Sequence, residues 1–388
     1  MFYVGIDISK YKHECFALGD FGEVIYDNFS FSNDAEGFAE LLQVLSSRKK
    51  ECTRIGFEAT AHYALNLKLF LEKNGYSFME LNPVLVSKFT KSQTLRKTKT
   101  DKIDARIIAQ YLEQVDYKPY PKSFYHNYSL KSLTRLRDAL VRQRSVYLVR
   151  LTNVMDCIFP EFKPFFANRF SLTALFILEN YGSPVNISNM NLRSFDILRR
   201  KSRGSFTMEK FVRLKQLAAN TVGESNAIYA LELKTILDLY SQLDSKISEL
   251  ENEVTRIIAE INPPSLSIKG IGPLSAAVIV SEFGDINRFS SPDKMLSFAG
   301  LEPGYFQSGN AAFAGRMVKR GSGILRYTII NCCRSMRLHN EVFSAYYFKK
   351  VDEGKPHRVA LSHMAKKLVR LIFALESTGA VYDPAKQR

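Results

Sequence analysis

The chain has 388 residues with a formal net charge of +15, and 46% of its residues are hydrophobic. It has no uninterrupted apolar run near the ~20 residues that a membrane-spanning helix needs, and its five scattered cysteines form no metal-binding or disulfide pattern. These features argue against a membrane protein, and the strand-like N-terminus argues against a signal peptide. We predict a cytoplasmic protein whose basic charge serves to bind nucleic acid.

In residues 1–125, strand patterns alternate with helical patterns. Phe2–Ile8 and two further segments, 13–19 and 23–31, are predicted to pair as a meander. A helix capped by Asn33 or Asp34, a strand at 54–58, a helix at 62–73 and a strand at 77–81 follow. This order, three strands, a helix, a strand, a helix and a strand, is typical of an α/β RNase H-like fold with helices on the faces of a mixed sheet.

Four acidic residues of this region form a candidate metal site. Asp7 lies in an apolar strand, where a carboxylate is costly to bury unless it is paired or binds a metal. Glu58 ends a second strand, and adjacent strands lie only ~4.8 Å apart. Asp101 and Asp104 are three residues apart at the start of a helix, so they share one helical face. Such an oxygen-rich set suits Mg²⁺ or Mn²⁺, and two such ions can clamp both oxygens of a phosphodiester exchange.

Simpler explanations exist for these acids taken singly. Asp101 suits the first turn of a helix, where its charge faces the helix dipole. Glu58 suits a strand end at the surface. The neighbouring basic residues Lys97, Lys99, Lys102 and Arg106 would hold phosphate near a metal, or belong to a solvated loop.

Residues 126–262 are predicted to form two long helices that flank a helical insertion at about 160–222. The second helix has apolar residues at regular four- and three-residue steps from Ile236 to Ile261, which is typical of a coiled-coil seam. The two helices can pack on each other or on copies in another subunit. Basic residues on the first helix, including Arg135 and Arg142, face either solvent or nucleic acid.

Residues 263–388 are predicted to form a mainly α-helical C-terminal domain. Lys269, Gly270 and Gly272 lie in a Gly-Ile-Gly turn before an apolar helix, which is the pattern of a helix-hairpin-helix motif. The backbone N–H groups of such a turn and the N-terminus of the following helix can bind a DNA phosphate.

Ser308 is the candidate nucleophile of this C-terminal region. The sequence predicts that it lies in a glycine-flanked loop, and four basic residues follow it: Arg316, Lys319, Arg320 and Arg326. A serine hydroxyl needs activation, and nearby cations would stabilise the charge of a five-coordinate phosphorus. The chemistry alone favours a simpler interpretation, a Ser-Gly turn beside a DNA-binding basic loop. Ser322, a second candidate, suits the N-cap of a helix better.

Six motifs in one order resemble the DEDD transposases of the insertion-sequence-110 family. They are GIDISK, GFEAT, KTDKIDARIIA, IKGIGPLSAAVIVSEFGD, FAGLEPGYFQSGN and GRMVKRGSGILR. The resemblance covers both ends of the chain, about 1–115 and 265–335, whereas the middle resembles the family only as a helical linker.

The resemblance implies an enzyme, a DNA transposase that recombines strands of an insertion sequence. It implies a RuvC-like domain at 1–125 with Asp7, Glu58, Asp101 and Asp104 as the DEDD set, and a C-terminal transposase domain at 263–388 with Ser308 as the nucleophile. It further implies double-stranded donor and target DNA, a guide (bridge) RNA transcribed from the element, and a site composed across the subunits of a homo-oligomer, a dimer or tetramer.

Two other functions remain open on the residues alone. The first is a metal-dependent nuclease similar to junction resolvases, in which water attacks and Ser308 only contacts DNA. The second is a non-enzymatic scaffold whose basic helices and Gly-Ile-Gly turn bind nucleic acid.

Overall fold

The structure is a computed structural model. It describes the chain except residues 60–61, 94–99, 120–123, 309–310 and 388, and it describes only the backbone of residues 124–127, 303, 305–308, 311–316 and 386–387. The chain divides into two compact units, residues 1–129 with 283–295, and residues 130–282 with 296–388. No helix within the described residues is both long and apolar enough to cross a membrane.

The first unit contains the sheet. Its strands are β1 (Phe2–Ile8), β2 (Lys12–Leu18), β3 (Val24–Ser32), β4 (Thr53–Glu58) and β5 (Phe78–Leu81). Its helices are α1 (Ala35–Ser46), α2 (Leu65–Lys73), α3 (Pro83–Gln93) and α4 (Asp101–Gln114). This is the predicted element order, and the N-terminal α/β prediction is confirmed.

The strand order across the sheet is β3-β2-β1-β4-β5. β1, β2 and β3 form an antiparallel meander, while β4 and β5 run parallel to β1. The parallel strands need crossovers, which α1 and α2 supply. The Asp34 carboxylate accepts a hydrogen bond from the N–H of Gly37, so the predicted cap of α1 is confirmed.

The sheet is covered on both faces. Ile6, Cys15 and Phe57 belong to the core on the face of α1 and α2. Tyr3, Phe16 and the α4 residues Ala105, Ile108, Ala109 and Leu112 form the core on the other face. Burial on both faces explains why β1 is apolar along nearly its whole length.

Two glycines let α4 pack closely on the sheet. A Cβ atom added at Gly5 would lie 2.3 Å from the carbonyl oxygen of Ala105 and 2.4 Å from the amide nitrogen of Ala109. At Gly56 it would lie 2.7 Å from a methyl group of Leu112. The backbone of α4 therefore rests directly on β1, and this contact fixes where the helix begins relative to the strand ends.

We expect the Gly5→Ala substitution to destabilise the first unit by at least about 3 kcal/mol, because backbone rather than a flexible side chain must give way. Unfolding in urea, followed by circular dichroism, measures the change. Gly272→Ala is the control, since a Cβ added at Gly272 meets nothing within 4 Å. Equal unfolding midpoints for the two variants would contradict the close contact.

The second unit contains most of the helices. They are α5 (Phe124–Ile158), which begins in the first unit, α6 (Phe162–Phe165), α7 (Leu172–Tyr181), α8 (Pro184–Ser188), α9 (Leu192–Lys201), α10 (Met208–Ala219), α11 (Ala227–Ile261), α12 (Pro273–Phe283), α13 (Pro292–Ala299), which also begins in the first unit, α14 (Gly323–His339), α15 (Glu341–Asp352) and α16 (His357–Thr378). A hairpin of β6 (Pro303–Ser308) and β7 (Ala311–Met317) interrupts them.

The two long helices, α5 and α11, pack on each other in antiparallel orientation. Arg137 forms an ion pair with Glu251, and Arg144 forms one with Asp244. Residue numbers therefore increase along α5 while those of the partners decrease along α11. Leu151, Val154, Leu233 and Ile236 share one core with the small helices between them. The sequence allowed the two long helices to pack on each other or on copies in another subunit, and the structure contains the first arrangement.

Candidate functional site

Asp7 and Glu58 lie side by side at one end of the sheet. Ile6 pairs with Phe57 in the parallel ladder, so the next residues, Asp7 and Glu58, leave their strands at the same level. Side chains alternate between the faces of a strand, and Gly5 and Gly56 face α4. Both carboxylates therefore share the α4 face of the sheet, at the carboxyl ends of β1 and β4.

The other two predicted acids begin α4 at that same end. The residues Ala105, Ile108, Ala109 and Leu112 form the sheet-facing stripe of the helix. Asp101 and Asp104 precede Ala105 and Ile108 by four residues, so they continue this stripe. Thr100 caps the helix by accepting a hydrogen bond from the N–H of Ile103. Asp101 is thus an exposed first-turn acid, and Asp104 is half-buried.

The backbone brings these four residues to one end of the sheet without assembling a finished coordination shell. Among the described residues, no group of three or more His, Cys, Asp or Glu side chains is close enough to hold a metal ion. Carboxylate oxygens on adjacent strands and a facing helix nevertheless form the hard donor set that Mg²⁺ and Mn²⁺ prefer.

Glu14 is a fifth acid at this end of the sheet, which the sequence analysis missed. It pairs directly with Asp7 across β1 and β2, so the two side chains leave the same face about 5 Å apart at Cβ. Glu14 is only 5% exposed, and its Oε1 accepts hydrogen bonds from Lys12 Nζ at 2.8 Å and Ser30 Oγ at 2.7 Å. Its Oε2 is buried and has no hydrogen-bond partner within the described structure.

Burial opposes the charge of Glu14, but the bonds from Lys12 and Ser30 and the charge of Lys102 outweigh it and lower the pKa of Glu14. Glu14 is therefore ionised at neutral pH and adds negative potential beside Asp7. Counting residues through the predicted hairpin could have found it, because the pairing of Asp7 with Glu14 follows from the length of the turn.

The basic residues predicted to flank this site divide into two groups. Lys102 lies near Glu14, and the Arg106 guanidinium lies 5.0 Å from the ring centre of Phe16 on the α4 face of the sheet. Lys97 and Lys99 lie outside the described residues. Whether any of the four contacts phosphate stays a prediction.

The two arginines of α5 that the sequence analysis singled out, Arg135 and Arg142, both have carboxylate partners within the second unit. The Arg135 guanidinium donates two hydrogen bonds to Glu282, at 2.7 and 3.2 Å, and the Glu282 side chain is 1% exposed. Burial raises the pKa of Glu282, but Arg135 and Lys131 outweigh this and lower it overall. Arg142 pairs with Asp138 one turn earlier on α5 and remains 72% exposed. Arg135 therefore holds α5 to α12, while Arg142 remains accessible.

The Gly-Ile-Gly turn precedes α12 as predicted. Gly270 has φ +110°, and a Cβ there would lie 2.4 Å from Met336, so this position favours glycine. The Lys269 carbonyl accepts a hydrogen bond from Asn340 at 3.2 Å, and the space beside Gly272 is open. A 3₁₀ turn at Pro264–Ser267 comes between the end of α11 and the glycines.

Ser308 is the last residue of strand β6, where it pairs with Ala311 of β7. The prediction of a loop-borne serine is therefore wrong at the level of the backbone. The side chains of Ser308 and Arg316 lie outside the described part of the structure.

The base of this hairpin is held tightly to its surroundings. The N–H of Val318 bonds the Glu302 carbonyl at 2.9 Å. Arg326 Nη1 lies 3.5 Å from the carbonyls of Ala299 and Lys319 and so joins both ends of the hairpin. Ser322 accepts a hydrogen bond from the N–H of Leu325, so its predicted N-cap role is confirmed.

The cations at the base are far from the serine along the hairpin. Pro303 pairs with Met317, and Ser308 lies five residues beyond Pro303, which corresponds to roughly 17 Å of strand. Lys319 and Arg320 follow Met317 at the base. Arg316 is the one predicted cation that β7 itself carries, one residue before the base.

Comparison with known protein families identifies the class of this fold and site. A model of IS110-type DEDD transposases, described as "Transposase", matches residues 4–160. A second model, described as "Transposase IS116/IS110/IS902 family", matches residues 266–348. Together the two models cover more than half of the chain, in the expected order. The chain belongs to this family of insertion-sequence transposases, enzymes that act on DNA.

Individual relatives match over most of their length. A 44.8 kDa uncharacterised protein of insertion element IS116 from Streptomyces clavuligerus is 24% identical over 99% of this chain and 96% of the relative. The IS1111A transposase of Coxiella burnetii is 23% identical over 98% of this chain and 90% of the relative. The IS1328 transposase of Yersinia enterocolitica is 24% identical, with coverages of 84% and 83%.

Proposed function

We propose that this transposase cleaves and rejoins DNA strands of an insertion sequence through a covalent link to Ser308, with a divalent cation at Asp7, Glu58, Asp101 and Asp104. The observation that carries the proposal is the position of Asp7 and Glu58. They follow paired residues of the neighbouring parallel strands β1 and β4, and both lie on the face of the sheet that α4 covers. Asp101 and Asp104 enter this end of the sheet from the start of α4.

The strand order of the first unit, three antiparallel strands followed by two parallel ones, supports the proposal that this unit is an RNase H-like, RuvC-like domain. We extend the proposal to three domains, at 1–125, 126–262 with an insertion at about 160–222, and 263–388. A bound Mg²⁺ or Mn²⁺ would neutralise charge on the phosphate and polarise its phosphorus–oxygen bonds.

The protein's own residues would act in two steps. The Ser308 hydroxyl gives up its proton, and its oxygen bonds the phosphorus as the bond to the departing sugar oxygen breaks. That oxygen takes up a proton. In the second step a sugar hydroxyl of the partner strand gives up its proton and its oxygen bonds the phosphorus, while the bond from phosphorus to the Ser308 oxygen breaks and that oxygen takes up a proton. The energy of the phosphodiester is conserved, so the strands rejoin without another energy source.

We further propose that an RNA transcribed from the element guides donor and target DNA to a dimer or tetramer. The net charge of +15 supports binding to nucleic acid in general, and the guide RNA rests on the family resemblance.

One experiment tests both guidance by RNA and the joining of strands. The protein is purified with its bound RNA, which is sequenced, and then incubated with Mg²⁺ and DNA that carries the ends of the element. We expect a single RNA species that matches an element end, and we expect joined donor–target strands. These joined strands should not form when the protein is treated with ribonuclease before the DNA is added. Joining at full yield without RNA would contradict guidance, and cleavage without any joined product would contradict recombination.

A further inference from the structure

A groove beside α16 contains a cluster of basic side chains that the sequence analysis did not single out. It has a volume of about 450 Å³, and we call it the α16 groove. Its lining consists of Tyr346, His363, Lys366, Lys367, Arg370, Leu371 and Ala374.

The basic residues form one stripe of α16. His363, Lys366, Lys367 and Arg370 are spaced at i, i+3, i+4 and i+7, so they share one helical face. The opposite face carries the buried residues of the C-terminal core, among them Leu361, Leu368 and Leu375. The stripe is therefore a separate surface, which core packing does not explain.

Aromatic rings of α15 position one cation of the stripe, Lys367. The Lys367 ammonium lies 5.0 Å from the ring centre of Tyr346 and 5.4 Å from that of Phe343. The Lys350 ammonium lies 5.5 Å from the same tyrosine ring. Cation–π contacts of this kind position an ammonium without neutralising its charge.

The charges in the groove repel one another. Burial and Arg370 lower the pKa of Lys366, and burial lowers the pKa of Lys367. Burial and the charges of Lys366, Lys350 and Lys355 lower the pKa of His363. Among the residues that the structure describes, no acidic one lines the α16 groove, and the nearby Glu353 already accepts two hydrogen bonds from Lys350. An anion of high charge density would relieve this repulsion.

We propose that the α16 groove binds the phosphate backbone of a nucleic acid. From His363 to Arg370 the stripe is roughly 10 Å long, at 1.5 Å per residue, which corresponds to about three phosphates of one strand of a duplex, at 3.4 Å of duplex axis each. Tyr346 offers an aromatic surface beside these phosphates. The proposal deepens the proposed function, since it assigns a contact surface to nucleic acid, but it does not depend on strand cleavage.

The test compares two double variants of the full-length protein. Lys366→Gln with Lys367→Gln removes two charges from the groove, and Lys234→Gln with Lys246→Gln removes two charges from exposed positions of α11. Binding of labelled duplex DNA, single-stranded DNA and RNA is measured by fluorescence anisotropy in EDTA over a series of salt concentrations.

We expect the groove variant to bind at least about tenfold more weakly for the nucleic acid that uses the groove. The slope of log K against log salt is negative, and its magnitude should decrease by about 1.8 for duplex DNA or about 1.4 for a single strand. The α11 variant should keep the slope of the unsubstituted protein. The nucleic acid whose binding weakens most in the groove variant is identified as the occupant. Equal slopes for both variants with duplex DNA, single-stranded DNA and RNA would overturn the proposal.

Two further measurements keep the result independent of folding and of catalysis. Acetylation of the unsubstituted protein should show that bound nucleic acid protects Lys366 and Lys367, and unchanged modification of both would overturn the proposal even if the groove variant misfolds. Asp7→Asn is predicted to bind as tightly as the unsubstituted protein, so a failure of the cleavage chemistry would leave the binding result intact.

Discussion

We expect Asp7→Asn to lower Mg²⁺-dependent strand cleavage by roughly a thousandfold while DNA binding stays unchanged. Asparagine keeps the size of aspartate but replaces one carboxylate oxygen with an NH₂ group and removes the charge that would bind a cation beside Glu58. A loss of about 4 kcal/mol of transition-state stabilisation corresponds to this factor. Single-turnover cleavage of labelled DNA measures it, and calorimetric titration with Mn²⁺ should show a matching loss of metal affinity.

Asp27→Asn is the matched control, because Asp27 lies on β3 of the same sheet and is exposed. We expect it to cleave at the normal rate. An Asp7→Asn protein that cleaves at that rate would exclude Asp7 from the chemistry and favour a scaffold that binds nucleic acid without cutting it.

The second large effect concerns Ser308. We expect Ser308→Ala to abolish any covalent protein–DNA product, because alanine has no oxygen to bond phosphorus. Gel electrophoresis under denaturing conditions, after a short incubation with labelled DNA and Mg²⁺, detects this product. Joined strands should disappear together with it.

Ser322→Ala is the control for Ser308→Ala. Ser322 caps α14, so its loss should cost ~1 kcal/mol of stability and leave the covalent product in place. If Ser308→Ala still cleaves normally, water is the nucleophile and the protein acts as a resolvase-like nuclease. Lys319 and Arg320 lie at the base of the hairpin, roughly 17 Å of strand away from Ser308. This distance from two of the predicted cations is a physical reason to test the alternative.

Much of the first unit was predictable because its signals are local. The apolar run at Phe2–Ile8, the cap at Asp34 and the turns between the strands each act over a few residues. The spacing of Asp101 and Asp104 likewise placed both on one face of a helix. The element order followed from these signals, and the structure confirms it.

The sequence could not predict features that depend on partners distant in the chain. Ser308 lies in a segment rich in glycine, serine, alanine and asparagine, which have low strand propensity, yet backbone pairing makes it a strand. Arg135 has the same sequence context as Arg142, but only Arg135 has a buried carboxylate, 147 residues away, as its partner. Pattern alone does not distinguish such residues, because their roles depend on tertiary contacts.

The contact of α4 with Gly5 also limits how the proposed site can be regulated. Sliding α4 by one residue would turn it by about 100° and move a different, larger side chain onto the glycine. Packing against the glycine therefore opposes a one-residue slide of the helix as a way to withdraw Asp101 and Asp104. We expect a switch between an idle and an active site to come instead from what binds there, a cation, a nucleic acid strand or the segment that carries Ser308.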